Sequence, residues 1–224
     1  MVYPQAPWQL KGYAIQTLQL VDVDQVRPLI PAELSVVSVF PGKTLGGIYL
    51  SSYGAGSTLE YNELIVIAAI ARYQDKTGSW VSHLYVDDSD SLAGGREIWG
   101  LPKEIASFTW EKDSTPLAKY SDRVTVRQGT ATLCRLSFNQ PQLKLPIPFK
   151  MGSFGLQSAN ILFFNSEFKG DLGLTNSEVD LPPESPFSQL NLDQPWLSIY
   201  SPQFNFVANA PMGIGQKAAE FVYQ

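Results

Sequence analysis

The sequence is poor in the residues from which most metal and nucleophilic sites are built. One histidine and one cysteine stand among 224 residues. Structural and catalytic zinc sites draw three or four ligands mainly from these two types, so the usual sets are out of reach and no metal is expected. A Ser-His-Asp or Cys-His arrangement would have only His83 to use. That residue lies in the alternating apolar segment WVSHLYV, where a structural strand histidine is the simpler reading. A lone Cys134 has no intramolecular disulfide partner, and no Asn-X-Ser/Thr glycosylation acceptor occurs.

Positive charge is also short. Sixteen Lys and Arg face twenty-one Asp and Glu, a net charge of −5, and the basic residues form no run. Nucleic acid is therefore not an expected partner. The longest apolar stretch, LIVIAAIA at 64–71, is far below the roughly 18 residues a membrane helix needs. The opening MVYPQAPWQLKG lacks a basic region followed by an apolar core and does not read as a signal peptide. These absences together predict a cytoplasmic protein with no membrane span.

What is present is a strand pattern broken by turns. Seventeen glycines and sixteen prolines punctuate the chain. Period-two alternation of Val, Ile, Phe, Tyr and Thr runs through 34–40, 80–86, 123–138 and 197–208. Gln128-Gly129 divides one of these runs and predicts a hairpin turn. The stretch 64–71 is apolar on both faces, as in a central strand or the wall of a closed barrel. Helical signals are few. Asp22 is placed to cap two turns ending at Pro28, and SLAGGREIWG predicts a short helix beginning after its glycines. The tract 176–195, rich in Pro, Asn and Ser, reads as a long loop or crossover. No internal repeat or linker marks a second core, so 1–224 reads as one mainly β domain, mostly antiparallel, curled or closed, with a few short helices.

Three motifs resemble chemistry without supplying it. Gly42-Lys43-Thr44 has Val37 where a phosphate loop needs its first glycine. Gly213-Ile214-Gly215 with Ala218 imitates a dinucleotide fingerprint, but only nine residues follow Gly215, too few for a βαβ unit. Asp87, Asp88 and Asp90 lack the loop spacing of a calcium site and read as a solvated turn.

The segment 93–106, AGGREIWGLPKEIA, is the informative one. It sets the amine of Lys103 after a proline and near Trp99, Leu101 and Ile105. An amine stripped of water favours its neutral form, which is the nucleophile; the alternative is a surface lysine between two elements. Gly95-Arg96-Glu97 followed by Leu101-Pro102-Lys103 resembles the signature of the acetoacetate decarboxylase family. Further likeness lies in the helix-like stretch 21–31, in Tyr61-Asn62-Glu63 before an apolar strand, and in Leu84-Tyr85-Val86-Asp87. It covers the amino-terminal half well and thins beyond about residue 140. The segments PWxxxG, LGG and NELIVIA look especially like the family's short photosynthetic-lineage branch, whose plant members are linked to the xanthophyll neoxanthin.

The resemblance implies a cone-shaped β-barrel in a homo-oligomer, with Lys103 inside as a Schiff-base nucleophile, Glu63 as an acid/base group, and no metal or organic cofactor. Trp99 and Leu101 would form part of the desolvating wall. Three positions depart from the founding enzymes. Glu104 stands where they have a second lysine. A substrate-holding arginine falls near Gly12, leaving Lys11 as the neighbouring cation. Another family glutamate falls near Ile48. Arg72 and Arg96, the nearest arginines in sequence, are candidates for the missing cation, with an ion pair to an acid such as Glu97 the structural alternative for Arg96. Trp99, Leu101, Arg96, Lys11 and Glu104 are the candidate substrate-binding residues. Two functions stay open: lyase-type Schiff-base chemistry on a keto acid or related carbonyl compound, and non-catalytic binding of an apolar ligand such as an isoprenoid, carotenoid or lipid. Phe163, Phe164, Phe204 and Phe206 would line a cavity or fill the core.

Overall fold

The structure is a computed structural model and describes residues 3–113, 115 and 117–217. Seven strands close a barrel: β1 (Trp8–Asp22), β3 (Lys43–Tyr53), β4 (Tyr61–Tyr73), β5 (Lys76–Val86), β11 (Phe149–Gln157), β12 (Asn160–Leu174) and β14 (Leu197–Ala208). They follow one another as β4-β3-β1-β14-β12-β11-β5, and the pairing of β5 with β4 completes the ring. Every contact in it is antiparallel except β11 with β5, a parallel seam of two residue pairs at Ser153–Ser79 and Phe154–Trp80. Short strands extend the ring: β2 (Ser35–Val36) on β4, β6 (Lys103–Ile105) on β5, and both β10 (Leu145–Pro146) and β15 (Met212–Gln216) on β12. A separate four-stranded antiparallel sheet runs β13 (Ser177–Asp180), β9 (Ala131–Phe138), β8 (Asp122–Gln128), β7 (Ser107–Lys112).

The doubly apolar stretch 64–71 lies in the barrel wall. Leu64 and Val66 join the larger core, while Tyr61 and Ile65 join a second cluster. That second cluster takes Leu10 from β1, Tyr53 from β3, Tyr61 from β4, Leu84 from β5, Phe168 from β12 and Phe204 from β14. Side chains converging from six of the seven barrel strands lie inside the barrel. The larger core continues under the four-stranded sheet through Val124, Val126, Cys134 and Leu136, and under the tract 176–195 through Phe187, Leu190 and Leu192, each 0–1% exposed. Burial pushes the Cys134 thiol up to about 12.

Several local expectations shift. The hairpin turn falls on Gly129 and Thr130, because Gln128 pairs with Ala131. The run 34–40 forms only β2 and a single bridge from Phe40 to Lys43. Asp22 makes no side-chain cap on the four-residue α1 (Val23–Val26); it pairs with Lys43 at 2.6 Å instead. The largest change is α2 (Ser89–Trp99), which runs through its glycines rather than after them. A Cβ on Gly94 would stand 2.5 Å from the Trp8 ring and one on Gly95 2.4 Å from the Lys103 side chain, so packing overrides helix propensity there. Asp87 receives both the backbone and side-chain N–H of Asn62, and Asp88 caps α2 through the Ser91 amide. Gly213-Ile214-Gly215 is part of β15, and Ala218 lies outside the described residues. Among the described residues no helix is long and apolar enough to cross a membrane.

Candidate functional site

The pairing of four strands brings one row of side chains together. Successive side chains of a strand alternate faces, so Tyr49, Ser51 and Tyr53 share one face of β3, and Tyr61, Glu63 and Ile65 one face of β4. Across the pair, Tyr53 stands opposite Tyr61, Ser51 opposite Glu63, and Tyr49 opposite Ile65. Ile65 is opposite Leu84 on β5, and Leu84 is beside Lys103 on β6. Lys103 therefore enters the same row two strands from Glu63, about 10 Å of backbone separation that its long side chain bridges.

The turn preceding Lys103 explains the local motif physically. Gly100 ends α2 in the left-handed conformation at φ 64°, its N–H bonding back to the Arg96 carbonyl. Leu101 N–H reaches the Gly95 carbonyl at 3.1 Å. Arg96 Nε donates to the carbonyl of Lys103 at 2.7 Å, and Gly95 leaves room for the lysine stem against the helix. Glycine, arginine and the second glycine thus fix where the amine points.

Lys103 is 3% exposed. Its Nζ lies 2.9 Å from Glu63 Oε1, donates to Ser91 Oγ at 2.8 Å, and stands 4.8 Å from the centre of the Tyr61 ring and 5.7 Å from that of Trp8. Tyr53 donates to the other Glu63 oxygen at 2.8 Å. Both carboxylate oxygens are therefore engaged. Burial, reinforced by the Glu63 charge, pushes the Tyr53 and Tyr61 hydroxyls well above their ordinary value, so both stay protonated donors. Tyr49 is raised the same way, chiefly by burial.

The other expected site residues are distributed differently. Glu104 is exposed on the opposite face of β6 and accepts from Gln128 at 2.6 Å. Trp99 is buried behind Trp8, ring to ring at 4.8 Å, with its N–H on the Asn209 carbonyl. Leu101 packs where the barrel cluster meets the tryptophans. The expected Arg96–Glu97 ion pair is replaced: Arg96 donates to the Lys103 backbone carbonyl, and Glu97 receives the Tyr3 hydroxyl. Lys11 is exposed with its ammonium over Gly56. Gly12 admits no side chain on this backbone, since a Cβ would meet the Ser52 carbonyl oxygen at 1.9 Å. Ile48 faces the larger core, whereas its neighbour Tyr49 faces the barrel cluster. Phe204 and Phe206 stand in that cluster, Phe163 in the larger core and Phe164 with the tryptophans.

Trp8, Tyr53 and Ser91 were not singled out as site residues from sequence, nor was Tyr61 outside its motif. Tyr61 carried a usable signal, being two residues from Glu63 and so on its face. Ser91 carried none, because only the docking of α2 brings it to Lys103. His83 packs against Phe187 with its pKa lowered by burial. Among the described residues no group of three His, Cys, Asp or Glu could hold a metal. An open groove of about 370 Å³ lined by residues including Lys119, Asn139 and Trp196 lies elsewhere, and Lys119 there is paired with Glu178.

Comparison with known proteins bears on the buried lysine. The chain is 33% identical over 114 residues to Protein NEOXANTHIN-DEFICIENT 1 of Solanum lycopersicum, covering 51% of this chain and 38% of the tomato protein. It is 31% identical over 134 residues to acetoacetate decarboxylase 1 of Mesorhizobium japonicum, covering 58% and 51%. The match thus spans about half or less of these relatives' own length. The fold matches the acetoacetate decarboxylase structure from Legionella pneumophila with a TM-score of 0.78 at 14% identity, over 97% of this chain and 90% of that one. The acetoacetate decarboxylase (ADC) family profile matches residues 2–156, which include every residue that touches the Lys103 amine. On that match, covering more than half its length, the chain belongs to the acetoacetate decarboxylase family.

Proposed function

We propose that this protein carries out lyase-type chemistry on a carbonyl compound, with Lys103 as the imine-forming nucleophile and Glu63 as the group that moves protons. The observation that carries this reading is the buried Lys103–Glu63 contact at 2.9 Å. An ion pair withdrawn from water is a poor structural investment, since apolar packing of similar volume stabilises as well or better. It is a good arrangement for making an amine reactive on demand.

The steps balance within the pair. Glu63 takes a proton from Lys103 Nζ, and the freed lone pair adds to the substrate carbonyl carbon, forming a C–N bond as the C=O π pair moves to oxygen; a second Nζ proton passes to that oxygen and completes the carbinolamine. Glu63 returns its proton to the carbinolamine oxygen, which leaves as water, and an iminium remains facing the carboxylate. The iminium then accepts the electron pair of a bond broken at the adjacent carbon. Ser91 and Tyr53 hold the two members in line throughout, and Trp8 and Tyr61 keep water from the nitrogen.

Incubation with a panel of keto acids, ketones and aldehydes, followed by borohydride reduction and peptide mapping, tests this directly. A reduced adduct on Lys103, absent from Lys103→Ala, is the expected result. Failure of every carbonyl to label Lys103 would move the protein to the second reading, a barrel that binds an apolar ligand without reacting. The aromatic cluster inside the barrel favours that alternative, and copurified apolar material would support it. Self-association, expected from the family, belongs to the same proposal and is read by light scattering.

A further inference from the structure

All sixteen Lys and Arg residues lie in the described parts of the chain, and Lys103 alone among them is buried. It is already committed to Glu63. Lys11 is exposed and Arg96 is held on the Lys103 carbonyl. An anionic substrate brought to this amine would be desolvated beside a carboxylate, with no cation of its own. Burying a charge without a partner is among the most costly events in a protein interior.

What the barrel cluster offers instead is an unbroken series of rings. Phe149 stacks on Phe168 at 4.8 Å, Phe168 on Phe204 at 5.2 Å, Phe204 meets Tyr53 at 6.0 Å, Tyr53 meets Tyr61 at 4.8 Å, and Tyr61 lies 4.8 Å from Lys103 Nζ. The series begins at a partly exposed ring and ends at the amine. Its polar atoms are two tyrosyl hydroxyls: that of Tyr53 donates to Glu63, which leaves that of Tyr61 to donate to a neutral carbonyl or hydroxyl oxygen.

Resting on the imine reading above, we infer that the substrate is an uncharged aldehyde or ketone with an apolar body, bound along this row of rings. The electron pair entering the iminium is then that of a Cα–H bond. Glu63, restored to carboxylate when water left, takes the proton, and the C=N bond becomes an enamine with no loss of carbon dioxide.

The test compares three compounds of one skeleton: 3-oxooctanoate, its methyl ester and its primary amide. Each is titrated against the protein at neutral pH with cyanoborohydride, and adducts at Lys103 are quantified. The amide keeps polarity while removing charge, so hydrophobicity alone does not decide the outcome. Both neutral compounds are expected to label Lys103 at a concentration at least about tenfold below the acid. Labelling by the acid at equal or lower concentration, with or without loss of carbon dioxide from the adduct, overturns the inference and leaves the imine reading standing. Absence of any Lys103 adduct overturns both.

Discussion

Two lysine–glutamate pairs in this barrel share an N···O distance of 2.9 Å and differ in what surrounds them. Lys150 and Glu167 are direct partners across β11 and β12, with side chains 74% and 37% exposed. The hydrogen bond from Lys150 holds the Glu167 carboxyl below its ordinary value, yet water solvates both charges and salt screens them. Lys103 and Glu63 are 3% and 6% exposed, roofed by Trp8 and Tyr61. Distance is the same, so burial decides what each pair does. One is a surface contact with little consequence, and the other is a buried pair that neither partner can leave without exposing the other to an apolar interior.

The largest effect should come from separating the buried pair. Lys103→Met leaves Glu63 buried without a cation and is expected to lower unfolding free energy by about 3–5 kcal/mol. Adding Glu63→Gln removes the stranded charge while keeping an acceptor for Tyr53, and most of that loss should return. Urea denaturation of the two single variants and the double variant closes the cycle. Simple additivity of the single losses would show that the two side chains are not coupled and would break the contrast with the surface pair. None of the three variants should retain the trappable imine expected of the parent protein.

How much of this arrangement could be read beforehand follows from where its causes lie. Alternation within a strand is local, so β14 at Leu197–Ala208 and the wall strand through 64–71 were legible. The resemblance carried Lys103 and Glu63 together, and the two-residue spacing on β4 put Tyr61 within reach of inference. Helix α2 was misplaced because glycine propensity argues against a helix where Gly94 and Gly95 are required by Trp8 and Lys103, contacts from distant parts of the chain. Ser91 depends on how α2 docks, a fact that no window of sequence contains, whereas the opposite facing of Lys103 and Glu104 follows from their adjacency on one extended strand and was legible. Arg96 shows the same limit: its place in the signature is visible in the sequence, but the hydrogen bond from its guanidinium to the backbone of the lysine is not.

Alkaline titration sharpens the same contrast between buried and solvated groups. Tyr53 and Tyr61 have folded values well above the ordinary 10.0, so they remain protonated in the fold at a pH where the unfolded chain ionises. Their contribution is fully present below pH 10 and is lost as pH rises from there toward the folded values. Each such tyrosine removes about 1.4 kcal/mol of stability per pH unit over that window. Ultraviolet absorbance of tyrosinate should therefore rise in two phases, exposed rings first and buried rings only with unfolding. A single phase in which all ten tyrosines ionise before circular dichroism changes would contradict the burial of this site.

Smaller changes separate glycines that serve the site from those that serve a turn. Gly95→Ala places a methyl group against the middle of the Lys103 side chain and is expected to cost about 1–3 kcal/mol as the lysine shifts. Gly129→Ala meets open space but sits at φ 59°, and the left-handed strain costs about 1 kcal/mol. Overlap in stability makes the trapping assay decisive. Gly95→Ala should lose most Lys103 labelling, whereas Gly129→Ala should label like the parent protein.

The smallest effect belongs to the surface pair. Glu167→Gln removes the partner of Lys150, but water replaces what the carboxylate supplied, and the freed ammonium stays solvated. The melting midpoint should not move beyond the scatter of replicate melts, and added salt should erase any residual difference. Raising salt should leave the cost of separating Lys103 from Glu63 almost unchanged, because counter-ions do not enter the barrel wall. A strong salt dependence of the Lys103→Met loss would mean that solvent reaches the amine, and burial could then not be what makes Lys103 reactive.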